Sequence, residues 1–177
     1  MAKVKSSRIQ AGKTKSSKKR PGIVYAKEAN ASYSLVQRAN AIIFSGSVEK
    51  PESQMTPIEK MERLHIGISK KELEILKART ELDYDKLAKL LSVTRATLIN
   101  KPKSEKFNSV LSERMLVLAD IYSYGFDVFG DEEKFKQWMF SPNRALGGKT
   151  PFEICDNQFG REEVKNIIGR IDYGVYS

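Results

Sequence analysis

A chain of 177 residues with 40% hydrophobic and 30% charged side chains has the make-up of a soluble globular protein, with one compact domain or two small ones. No run approaches the roughly 18 apolar residues of a membrane span, and Lys and Ser stand where a secretory signal would carry an apolar core, so neither membrane insertion nor secretion is expected. The single cysteine, Cys155, excludes an internal disulfide and fits a reducing, cytoplasmic setting.

The formal charge of +9 is concentrated at one end. Residues 1–22 hold Lys3, Lys5, Arg8, Lys13, Lys15, Lys18, Lys19 and Arg20 without a single acid, which leaves 23 bases against 22 acids in the rest. This stretch lacks apolar periodicity and cannot bury enough surface to offset its ordering entropy, so it is expected to be a disordered basic arm. Composition fits two roles equally: an arm that strengthens DNA association by counterion release, or a solvated tail. Residues 32–43 are expected to form one short helix ended by Ser45-Gly46. Residues 47–57, with Pro51 and Pro57 among polar side chains, read as a linker.

From Met61 onward helical patterning dominates. Ser69 and Glu72 have the spacing of a capping box, and Leu73, Ile75, Leu76 and Ala78 are the expected buried face of the helix they start. Tyr84, Leu87, Ala88 and Leu91 then fall at i, i+3, i+4 and i+7. A further short helix is expected over 94–100, stopped by Pro102. Ser112 opens a longer one, with Met115, Leu118, Ala119, Tyr122, Phe126 and Phe129 on one side. No alternating pattern of comparable strength exists. The expected fold is all-α.

Residues 83–100, DYDKLAKLLSVTRATLIN, have the features of a helix-turn-helix. Ala88 is small where two helices approach, Leu87 and Leu91 face the core, Val93 plugs the turn and Leu98 returns an apolar contact. Ser92 occupies the turn position that normally favours a left-handed Gly, at modest cost. Thr94 is a good N-cap for the second helix, whose first turn presents Arg95, Ala96 and Thr97. In such a motif that helix enters the major groove. Arg95 is suited to guanine, Asn100 to adenine or a phosphate, Thr97 to either more weakly, and Lys101 and Lys103 to the backbone. The candidate DNA-binding set is therefore Thr94, Arg95, Thr97, Asn100, Lys101 and Lys103. Two amphipathic helices joined by a tight turn are also common as plain packing units, or as a dimer face. The basic, polar second helix favours DNA, and a homodimer on a two-fold site is the usual arrangement.

Asp131 begins another helix, with Glu132 and Glu133 in its first turn and Phe135, Trp138 and Met139 inward. Ser141-Pro142-Asn143 ends it, and Gly147-Gly148 makes a sharp turn. Thr150-Pro151-Phe152-Glu153 is a complete helix start, with a cap, Pro at the first position and Glu at the third. After Phe159-Gly160 the last helix carries Val164, Ile167, Ile168 and Ile171.

Phe129-Gly130-Asp131, Trp138, the run from Pro142 to Pro151 (PNRALGGKTP), Gly160 and the GRIDYGV ending from Gly169 to Val175 together resemble the toxin-binding domain of Xre/MbcA/ParS-type antitoxins. With the helix-turn-helix, the resemblance covers about residues 67–177. It implies an Xre-like helix-turn-helix bundle followed by a small helical toxin-binding domain: a basic extension and linker over 1–66, a DNA-binding and dimerisation region over 67–129, and a toxin-binding domain over 130–177. It further implies a type II toxin-antitoxin partner, a RES-domain toxin that consumes NAD or transfers ADP-ribose. The antitoxin's end is expected to cover the toxin's active site, and the protein to repress its own operon through double-stranded operator DNA. Carried onto this chain, the toxin-binding contacts fall on Arg170, Ile171, Tyr173, Gly174, Val175 and Tyr176. Tyrosines supply large contact area at low entropic cost.

The residues argue against catalysis. His65 and Cys155 are the only His and Cys, in unconnected segments, and no metal-ligand spacing exists, so neither a metal nor another cofactor is expected. Gly148-Lys149-Thr150 mimics the end of a phosphate loop, but Asn143 stands where its first glycine belongs. Cys155 is expected to be a small buried residue. Two other classes stay open: a helix-turn-helix regulator without a toxin partner, and a basic RNA-associated protein suggested by the arm alone.

Overall fold

The computed structural model describes residues 43–44 and 50–174. The expected arm over 1–22, all but the end of the expected 32–43 helix, and Val175 and Tyr176 lie outside the described residues.

The stretch expected to be a linker contains structure. Glu52–Gln54 forms a 3₁₀ turn, and Thr56-Pro57-Ile58-Glu59 starts helix α1 (Pro57–Ile66). Thr56 accepts from the Glu59 amide while the Glu59 carboxylate accepts from the Thr56 amide at 2.6 Å. Pro57 marks the first helical position, where its missing N–H costs nothing, rather than a break. The Glu52 carboxylate is buried and accepts from the amides of Ile43 and Phe44 at 2.8 and 2.7 Å, which seats both apolar side chains in the core.

Helix α2 (Lys70–Thr80) has the expected Ser69–Glu72 capping box. Its buried row is Leu73, Leu76 and Thr80, whereas Ile75 is half-buried and Ala78 exposed, contrary to expectation. At 100° per residue Ala78 lies about 140° round from Leu73, on the solvent side. Asp83 caps α3 (Tyr84–Leu90) and Thr94 caps α4 (Arg95–Ile99).

The longest helix, α5 (Ser109–Phe129), starts a turn earlier than expected. Asn108 is its cap, accepting from the Leu111 amide at 2.8 Å. Ser112 lies inside the helix, where its buried hydroxyl accepts from the Ile68 amide and donates to the Phe107 carbonyl. Helix α6 (Glu132–Met139) is capped by Asp131, α7 (Pro151–Ile154) by the Thr150–Glu153 box, and α8 (Gln158–Asp172) by Asn157. Gly160 is thus inside α8, not before it. A Cβ there would sit 1.6 Å from the Ile154 carbonyl oxygen, so the glycine permits the close approach of α7 to α8.

Helix α5 is the axis. Against it pack α8, the 3₁₀ turn at Glu52–Gln54, α6, α1 and α2. Tyr122, Phe126 and Phe135 meet edge-to-face with centroids 5.3–5.9 Å apart, and Trp138 stacks on Phe135 at 5.7 Å. Such pairs contribute about 0.5–1.5 kcal/mol each beyond their burial. Gly125 makes room for this cluster, since a Cβ there would fall 2.1 Å from the Phe135 ring. One apolar cluster runs from Leu73 and Leu87 through α5 to Phe152 and Ile168, so the 67–129 and 130–174 stretches share a core. No β-strand occurs among the described residues, and the fold is all-α. No helix among them is long and apolar enough to cross a membrane.

Candidate functional site

Helices α3 and α4 form a helix-turn-helix in the sequence order expected. Leu87, Ala88 and Leu91 are buried on one side of the turn and Leu98 on the other. Val93 is half-buried against the core, its amide donating to the Ala88 carbonyl at 3.0 Å. Ser92 takes φ +52°, the left-handed geometry read from its place in the turn. Thr94 accepts from the Thr97 amide at 3.1 Å. That leaves Arg95, Ala96 and Thr97 exposed on the first turn of α4, with Asn100 exposed at its end and Lys103 exposed beyond it. Arg95 is held at 3.2 Å by Asp85 of α3, and Lys101 at 2.9 Å by Glu105. Thus the six candidate DNA-binding residues cluster at the cap of α4, on it and just after it.

Four anchors of this unit were not read from the sequence. Lys70, buried at the start of α2, donates to the Leu98 carbonyl at 2.5 Å and to the Tyr84 hydroxyl at 2.7 Å, placing a cation at the C-terminal end of α4 where the helix dipole favours it. Arg114 of α5 donates to the Leu91 carbonyl at 2.8 Å. Arg161 of α8 is buried and donates to the Leu90 carbonyl at 3.1 Å and to the Cys155 carbonyl. Burial pulls its guanidinium pKa below the ordinary range, and Arg114 beside it adds to the effect. The Ser92 hydroxyl completes the set by donating to the Asp156 carbonyl at 2.9 Å. The bonds of Arg161 and Ser92 tie the turn to the α7–α8 corner. Lys70, Arg114, Arg161 and Ser92 each reach a backbone carbonyl more than twenty positions away, a contact with no sequence signature. Beside them a cleft of about 590 Å³ is lined by Val110, Arg114, Val117, Asp120 and Arg161.

The second candidate site is the end of α8. Arg170 and Ile171 are half-buried, Arg170 pairs with Glu163 at 2.7 Å, Tyr173 is 83% exposed and Gly174 is exposed with φ +69°. The Tyr124 hydroxyl of α5 donates to the Asp172 carboxylate at 3.0 Å. Burial and that carboxylate push the Tyr124 hydroxyl up to about 12. Arg170, Ile171, Tyr173 and Gly174 therefore sit together, on the last turn of α8 and immediately past it.

Elsewhere the chemistry is quiet. Cys155 is fully buried, which pushes its thiol up to about 12, and His65 is exposed. No group of three or more metal-ligating His, Cys, Asp or Glu exists among the described residues.

Fold and sites together define an all-helical protein in which a helix-turn-helix unit is bolted to a small C-terminal helical unit with an exposed aromatic end. Residues 125–174 match the family model of the antitoxin Xre/MbcA/ParS C-terminal toxin-binding domain. Over 73 residues, 41% of this chain, it is 38% identical to antitoxin Xre of Photorhabdus laumondii subsp. laumondii and 33% identical to antitoxin Xre of Yersinia enterocolitica serotype O:8. The matched stretch spans about half the length of these curated relatives, 49% of each. Residues 125–174 are thus similar to the toxin-binding domain of Xre/MbcA/ParS antitoxins.

Proposed function

We propose that the chain is the antitoxin of a type II toxin-antitoxin pair, acting in the cytoplasm without catalysis of its own. Residues 130–177 bind a cognate RES-domain toxin, and the end of the chain, from Arg170 and Ile171 through Tyr173, Gly174, Val175 and Tyr176, covers the toxin's NAD-consuming or ADP-ribosylating active site. The observation that carries this reading is the match of residues 125–174 to a toxin-binding domain, combined with an end of α8 that has no core role. Tyr173 adds nothing to the fold that an exposed polar residue would not, whereas against a partner it offers a large contact area.

The 67–129 stretch binds operator DNA as a homodimer on a two-fold site, with Arg95 and Thr97 at base edges and Thr94, Asn100, Lys101 and Lys103 positioning the helix. Arg95 is supported by its place on an exposed, capped first turn, where a single ion pair to Asp85 can be exchanged for a base contact.

Co-expression tests the reading. A RES-type protein encoded beside this chain is expected to arrest growth alone, and the chain to restore it. A toxic neighbour that the chain does not relieve would leave the alternative, a helix-turn-helix regulator without a toxin partner.

A further inference from the structure

The basic side chains of the C-terminal unit have different employments. Of the seven in 130–174, Lys134, Lys136, Lys165 and Arg170 are in ion pairs and Arg161 is on backbone carbonyls. Arg144 and Lys149 have neither among the described residues, and both are exposed. They sit on one small loop, closed by the Asn143 amide donating to the Lys149 carbonyl at 3.0 Å and the Gly148 amide to the Asn143 carbonyl at 2.9 Å.

This loop adjoins the outer face of α3. Lys86 lies over the Phe140 ring at 5.6 Å and Lys89 over the Phe152 ring at 5.5 Å, and the two rings pack 4.8 Å apart. Lys89 and Lys149 both act on the Glu153 carboxylate, whose capping bonds, then these two charges, hold its pKa below the ordinary range. On α3, Lys89 is one helical turn from Asp85, so both point to the same side. Asp85 is the residue that holds Arg95. A continuous surface therefore runs from Arg95 at the start of α4, along α3, to Lys89, Lys149 and Arg144. Two nearby acids are already committed: Asp83 to the start of α3 and Lys86, and Glu153 to the Thr150 cap.

We infer that Lys89, Arg144 and Lys149 form a phosphate-contacting flank, so that the loop of the toxin-binding domain lies along the backbone of the same DNA duplex that α4 enters. Unpaired exposed cations beside a groove-entering helix match a polyanion whose charges repeat along its length, and binding releases condensed counterions. Phosphate contacts carry no sequence information, so this flank adds affinity without adding specificity. The inference rests on the helix-turn-helix reading of α3 and α4.

The experiment uses the full chain, a labelled duplex from the region immediately upstream of its gene, and an unrelated duplex of equal length, titrated across a salt series. Lys89→Gln, Arg144→Gln and Lys149→Gln together are expected to weaken binding to both duplexes by the same factor, about ten-fold or more. The slope of log affinity against log salt should become shallower by about one per cation removed. The melting temperature should stay at the wild-type value. The inference is overturned if the triple variant keeps wild-type affinity and slope while Arg95→Ala loses operator binding. It is also overturned if the triple variant loses neutralisation instead, which would assign the loop to the toxin. Failure of the wild-type chain to bind either duplex would remove the helix-turn-helix reading first, and this flank with it.

Discussion

Arg95 and Tyr124 illustrate how a single side chain can be held without being fixed. Arg95 is 59% exposed and its bond to Asp85 is a surface pair of the kind that contributes less than about 1 kcal/mol, so releasing it to a base edge costs little. Arg95→Ala is expected to remove about 1–3 kcal/mol of discrimination between the operator and a scrambled duplex, measured by competition; unchanged discrimination would take it out of the reading helix. Tyr124 secures the last turn of α8 just before the exposed end. Tyr124→Phe removes one bond to a carboxylate and is expected to weaken toxin binding by about 1 kcal/mol, roughly five-fold, with operator affinity unaltered. Equal loss of both activities would make the bond merely structural. Glu52 gives a pH signature. Burial raises its pKa above 4.5 in the folded chain, outweighing the amides of Ile43 and Phe44. The folded state thus binds this proton more tightly, and the contribution of Glu52 to stability grows as pH falls through its folded pKa towards 4.5. Glu59, Glu74, Asp83 and Glu153 act the other way, since their lowered values give stability that is lost as pH falls below 4.5 through each folded pKa, and below 3.8 for Asp83. Melting curves of Glu52→Gln should lack the stabilising arm above pH 4.5; an identical pH profile would contradict this.

At the scale of elements, what could be read depended on whether the signal was local. Capping is local: Ser69, Thr94, Asp131 and Thr150 cap the helices expected of them, because a side-chain oxygen and an amide two or three residues on are close in sequence. The same logic reaches α1, whose Thr56-Pro57-Ile58-Glu59 start repeats the Thr150-Pro151-Phe152-Glu153 pattern; Pro57 hid it by reading as a breaker. Ser112 misled in the opposite direction, since a serine suits a cap in sequence but here satisfies the Ile68 amide from inside α5. Arg161 stayed silent because its partners are carbonyls, which every residue has. Its replacement is correspondingly informative. Arg161→Leu leaves the Leu90 and Cys155 carbonyls without their donor at the joint between α3 and α8, and is expected to cost about 2 kcal/mol, read as a lower denaturation midpoint. A loss below about 0.5 kcal/mol would show that the joint is held by packing alone.

Across the whole molecule, the two candidate sites are attached to one core. The apolar cluster that seats Leu87 and Leu98 beneath the helix-turn-helix also seats Val164 and Ile168 beneath the end of α8, with α5 common to both. The last turn of α8 and Tyr173 are outside that core, so removing the end should spare the fold and the helix-turn-helix surface. The most direct measurement is NAD consumption by the RES-type toxin proposed as the partner, in the presence of the full chain and of a chain truncated after Gly169. Full-length protein is predicted to suppress turnover at stoichiometric amounts, and the truncated protein to leave it running while still binding the promoter. Undiminished suppression by the truncated chain would contradict the account.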